Sequence, residues 1–107
     1  MRFRKRPIEI EATPIELVLA LGNTQPEVLP DWVQAGLAEH KITVYTDAIV
    51  VSTTEGRMRG EAGDFLIQGI RGELYPCRGD IFLATYEEVT DEDILFAGIL
   101  PNKEKAE

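Results

Sequence analysis

The stretch Asp64-Phe65-Leu66-Ile67-Gln68-Gly69-Ile70-Arg71-Gly72-Glu73-Leu74-Tyr75-Pro76-Cys77 decides the fold. An apolar run at 64–68 and a second at 73–75 flank a segment that begins and ends in glycine. Gly69 to Gly72 reads as a tight turn, so the two runs predict an antiparallel strand pair. Pro76 has no N–H to give to a ladder and predicts the end of the second strand. Downstream, residues 81–88 alternate, with Phe82, Ala84 and Tyr86 on one face and Ile81, Leu83 and Thr85 on the other. That pattern predicts a last strand.

Upstream, Ile42, Val44, Ile49, Val50 and Val51, interleaved with threonines, predict two short strands joined at Asp47-Ala48. Glu55-Gly56 reads as a hairpin turn, Arg57-Met58-Arg59 as the returning strand and Gly60 to Gly63 as a loop. Ile8, Ile10 and Ala12 alternate with Glu9 and Glu11 and predict a first strand beginning after Pro7. Thr13-Pro14-Ile15-Glu16 has the form of a capping box opening a short helix that stops at Gly22-Asn23. Leu29, Trp32, Val33 and Leu37 place a second helix over about Pro30 to His40, with Asp31 in its first turn. Thr90-Asp91-Glu92-Asp93 predicts the capped start of a short helix through about Gly98. The expected fold class is therefore α+β. It is a small antiparallel β-barrel or sandwich of about six to seven short strands, with two short N-terminal helices and a short C-terminal helix. Residues 1–100 form a single domain and 101–107 a flexible tail.

Composition sets outer bounds. The chain has 107 residues, 44% of them hydrophobic and 28% charged, which suits one globular domain. One cysteine, Cys77, allows no internal disulfide, and one histidine with one cysteine cannot supply the usual zinc ligands. The basic start Met1-Arg2-Phe3-Arg4-Lys5-Arg6-Pro7 lacks the apolar run of a secretory signal, and no apolar run is long enough to span a membrane. The expected location is the cytoplasm. A net charge of −8 disfavours direct nucleic-acid binding, since phosphate contact needs a positive surface. The charge is uneven, with four of the eleven basic residues in the first six positions and an acidic stretch at Glu87, Glu88, Asp91, Glu92 and Asp93. Both ends read most simply as solvated segments.

Residues that could carry chemistry are few. Cys77 and His40 are the one Cys/His pair, and no spacing places them together. A buried thiol and a helix-end histidine explain them without catalysis. The acidic run at 91–93 lacks the spacing and glycine of a calcium loop. The glycine-bearing turns at 61–65 and 71–73 do not match a phosphate loop, which needs a helix N-terminus behind it. Asp64 can accept backbone hydrogen bonds within its turn. Glu73 is a candidate partner for Arg57, Arg59, Arg71 or Arg78. Trp32, Tyr75, Phe82 and Tyr86 could form an aromatic surface but are more often core. No pattern calls for a cofactor. The candidate ligand-binding residues are Asp64, Glu73, Tyr75 and Arg78, at the mouth of the C-terminal β-unit.

Three segments together resemble a group of small proteins encoded by tailed bacteriophages and prophages. They are the opening residues 1–12, the stretch 54–77 with its Gly63-Asp64, Gly69, Gly72-Glu73 and Tyr75-Pro76-Cys77, and Asp80-Ile81-Phe82-Leu83-Ala84-Thr85-Tyr86-Glu87. Leu29-Pro30-Asp31-Trp32 is compatible with the same pattern. Alanine at Ala62 and glycine at Gly79 stand where that group more often has proline. The resemblance implies phage or prophage origin and action inside a bacterial host, and it implies no reaction. The expected function is a noncatalytic accessory protein that binds a host or phage macromolecule. The alternative is a small-molecule binding module. An enzyme using Cys77 or paired carboxylates ranks last. A homodimer through an exposed strand edge is compatible with each.

Overall fold

The computed structural model describes residues 1–4 and 8–89. The helix expected at 90–98 and the tail at 101–107 lie outside the described residues. The chain is α+β, in the order β1 (Glu11–Pro14), α1 (Ile15–Leu21), a 3-10 turn (Pro26–Val28), α2 (Asp31–Ala38), β2 (Ile42–Val44), β3 (Ala48–Thr53), β4 (Gly56–Glu61), β5 (Phe65–Gln68), β6 (Leu74–Cys77) and α3 (Gly79–Thr85). The strands form two three-stranded antiparallel sheets, β1-β5-β6 and β2-β3-β4, and among the described residues they do not close into a barrel.

The core fills the space between the sheets and the first two helices. Ile42 and Val44 of β2 stand opposite Val51 and Ile49 of β3. That row meets Ile15 and Val18 of α1, Val33 of α2, and Leu66 and Leu74 of the other sheet. Burying one such aliphatic side chain is worth roughly 1.5–3 kcal/mol, so this cluster dominates the fold's stability. Gly60, in β4 opposite Ile49, faces the same space. A Cβ there would overlap Ile15 Cδ1 and lie 3.1 Å from Pro76 Cβ, so glycine lets the two sheets approach. Gly60 and Glu61 thus extend the returning strand into what was expected as loop.

Four further expectations are corrected. The first strand starts at Glu11, not Ile8, because β5 offers only four residues of ladder and Glu11 already pairs with its last, Gln68. Thr13 is not a helix cap: it is 4% exposed within β1, and Pro14 occupies the cap position with no side-chain bond. The first N–H of α1, on Ile15, is instead satisfied by the Asp64 carbonyl at 3.0 Å. Pro76 does not end β6 but lies inside it. The Gly69 N–H donates to the Glu73 carbonyl at 2.8 Å, which makes 69/73 a hydrogen-bonded pair. Alternation then gives 67/75 and 65/77 as the next bonded pairs and leaves Pro76 at a position whose N–H would face away from β5. On an edge strand that costs nothing.

The largest correction concerns residues 81–88, expected as a strand: Gly79–Thr85 form α3 instead. A short run of Ile-Phe-Leu-Ala fits either period. Helical spacing brings Phe82 and Tyr86 to one face, with ring centroids 5.0 Å apart, and stacks Phe82 on Phe65 of β5 at 4.1 Å and 14°. Strand register puts Phe65, Ile67, Tyr75 and Cys77 on the face of their sheet opposite the main core. α3 packs on that face, and Ile67 there is fully buried.

α2 ends in a Schellman turn. The Lys41 N–H donates to the Gly36 carbonyl at 2.8 Å and the His40 N–H to that of Leu37 at 3.2 Å. His40 sits at the left-handed position with φ 61°. The histidine therefore closes the helix through its backbone. Among the described residues no helix is long and apolar enough to cross a membrane.

Candidate functional site

The four candidate residues separate into two places. Asp64 is a structural hub. Its Oδ2 accepts the Glu61 N–H at 2.9 Å and its Oδ1 the Gly79 N–H at 3.2 Å, while its carbonyl caps α1. One residue thus fixes the 61–64 turn, the start of α1 and the start of α3. Gly79 suits this junction on two counts. Its N–H, which proline lacks, serves Asp64, and a Cβ on it would overlap the Gly63 carbonyl. Arg78 is exposed and pairs with Asp80 at 2.8 Å.

Glu73 and Tyr75 lie elsewhere, beside a groove of about 420 Å³ lined by Thr53, Thr54, Glu55, Met58, Glu73, Leu74 and Tyr75. The groove opens between the tip of the β3–β4 hairpin and the start of β6. Val51 stands opposite Met58 across β3 and β4, so Met58 continues the core-facing row outward to the groove, where it is 38% exposed. Leu74 meets it from the other sheet. Glu73 forms no ion pair with Arg57, Arg59, Arg71 or Arg78 among the described residues. Its Oε1 accepts the Arg71 backbone N–H at 2.9 Å and steadies the Gly69–Gly72 turn. Arg59 pairs instead with Glu61 at 3.1 Å and Asp47 at 3.6 Å. Thr53 Oγ1 donates to the Gly56 carbonyl at 2.7 Å and accepts the Glu55 N–H at 3.0 Å, which fixes the hairpin tip.

The reactive groups are muted. Burial, reinforced by Tyr86 through charge and a side-chain hydrogen bond and by Glu73 and Cys77, pushes the Tyr75 phenol up to about 12. Burial, followed by the Asp64 and Asp80 carboxylates, also pushes the Cys77 thiol up. Its S–H points to the Arg78 carbonyl at 3.6 Å. Both shifts favour the protonated, non-nucleophilic form. The aromatic residues divide as well: Tyr75, Phe82 and Tyr86 gather around Phe65, whereas Trp32 packs against the main core.

Sequence reading missed Thr53, Thr54, Glu55 and Met58 as groove residues. One signal was present. Met58 is an isolated apolar residue between two arginines, in phase with Gly60, and period two places both on the inner face. That this face meets β6 depends on how the sheets pack, which no local pattern carries. Compared with family models, curated proteins and solved structures, the chain gave no match.

Proposed function

We propose that the chain is a noncatalytic binding protein that engages a macromolecular partner through the groove between the β3–β4 hairpin and β6. The observation that carries this reading is the groove itself, whose floor is the part-exposed Met58 beside the buried Leu74 at the edge of the core. Its volume lies within the range of ligand sites. The two sheets are then halves of a small open sandwich, with the groove at its unclosed end. The raised thiol and phenol favour binding over nucleophilic chemistry. The sequence resemblance to tailed-phage and prophage proteins fits an accessory role in the bacterial cytoplasm, with a host or phage protein as the partner.

Site-specific crosslinking tests this reading. A photoreactive residue at Thr54, on the groove, is compared in bacterial lysate with one at Thr43, exposed on the outer face of β2. A discrete crosslinked product from position 54 and none from 43 is the expected result. Equal products from both positions, or none from 54 at low and moderate salt, count against it.

A further inference from the structure

We infer that the groove accepts an extended peptide segment presenting a lysine or arginine side chain. This rests on the binding role proposed above and names its partner chemistry.

Two independent features converge. The first is main-chain. Among the described residues β6 is an edge strand, and the 67/75 and 65/77 pairing leaves the Leu74 N–H and carbonyl and the Pro76 carbonyl facing away from β5. An incoming strand finds one donor and two acceptors there, and Pro76, with no N–H, limits the register. Leu74 is also a groove residue, so this edge and the groove are contiguous.

The second feature is charge. Among the described residues the groove lining holds two carboxylates, Glu55 and Glu73, and no lysine or arginine. Among the described residues Glu55 has no ion-pair partner, Lys41, Arg59 and Arg78 are each paired with a carboxylate elsewhere, and Arg57 and Arg71 beside the groove form no ion pair. Among the described residues Glu73 is hydrogen-bonded through one side-chain oxygen, Oε1. Between the carboxylates the floor is Met58 and Leu74. A lysine or arginine carries a matching sequence of chemistry: an alkyl stem to cover the thioether and isobutyl groups and a cation to end at the carboxylates. The net charge of −8 adds a long-range bias towards basic partners.

The test uses three capped tripeptides, Val-Lys-Val, Val-norleucine-Val and Val-Glu-Val, titrated into protein with ¹³C-methyl methionine. Met58 lies in the groove and Met1 serves as the internal control. The lysine peptide is expected to move Met58 and leave Met1 unmoved. Norleucine should bind roughly two- to five-fold more weakly, the size of one exposed charge pair, and glutamate more weakly again. High salt or the Glu55→Gln variant should erase the lysine advantage. The Glu73→Gln variant, which keeps the acceptor for Arg71, separates turn stability from charge. If norleucine equals lysine at low salt, the cation preference is wrong while the groove reading stands. If none of the peptides moves Met58 at millimolar concentration, both fall.

Discussion

Removing the Asp64 carboxylate should loosen three elements at once. In Asp64→Ala the Glu61 N–H and the Gly79 N–H lose acceptors at 2.9 and 3.2 Å. A hydrogen bond to a charged group contributes about 1.5–3 kcal/mol when buried. Asp64 is half-buried and water can reach the Glu61 side, so each bond falls to about 1 kcal/mol, that of an ordinary hydrogen bond, and the pair together is worth about 2 kcal/mol. For a domain of this size that is a fall in Tm of about 8–16 °C. Asp64→Asn keeps one acceptor and should cost about half as much. The loss is also local. The Gly79 bond ties α3 to the body, so α3 should open before the core does. Urea denaturation followed by far-UV circular dichroism gives the global term. Hydrogen exchange at the Phe82 and Tyr86 amides, which donate to the Arg78 and Phe82 carbonyls, gives the local one. A change for Asp64→Ala below about 0.5 kcal/mol, the level of an ordinary surface substitution, would refute the hub role. So would amide protection in α3 that is unchanged relative to the core.

Three other outcomes follow from the geometry. His40→Gly relieves a left-handed non-glycine residue and should stabilise the chain by about 0.5–1 kcal/mol, read from the urea midpoint. Gly79→Ala forces a Cβ into the Gly63 carbonyl, a backbone atom that cannot rotate away, and should destabilise the chain by about 2 kcal/mol or more with loss of α3 helicity. Tyr75 should ionise near pH 12 rather than 10, seen as the late step in a phenolate absorbance titration and absent in Tyr75→Phe. The native chain then holds a proton that the unfolded chain releases, so this stabilisation is full below about pH 10 and declines as pH rises to about 12.

Much of the architecture is legible in the sequence, and the exceptions share a cause. The α2 helix, the β2–β3 pair, the Gly69–Gly72 turn and the strands it joins follow from local pattern. Residues 79–85 do not, because a four-residue apolar run satisfies both periods. The choice is made by the Phe65 ring, which Phe82 reaches across the fold. Pro76 is misread for a related reason. Whether a strand tolerates proline depends on whether it lies at an edge, and β6 becomes an edge only when the sheet order is known. Thr13 has the sequence of a cap, yet β5 draws it into a ladder and Asp64 satisfies the helix in its place.

The candidate site follows the same logic. Asp64 and Arg78 were legible as conspicuous polar residues beside glycine turns, but at Asp64 the prominence reflects a structural load. Glu73 and Tyr75 do border a groove, and its other half comes from a hairpin some twenty residues earlier in the chain. Packing of the two sheets through Gly60, Ile15 and Pro76 brings the halves together, and a Gly60 Cβ would push them apart.

The measurement closest to the central claim is therefore the methyl spectrum of Met58, with Met1 as reference, during titration with the lysine tripeptide. Movement of Met58 alone, weakened by Glu55→Gln, is the predicted result. A stationary Met58 at saturating millimolar peptide contradicts the assignment of the groove as the binding site.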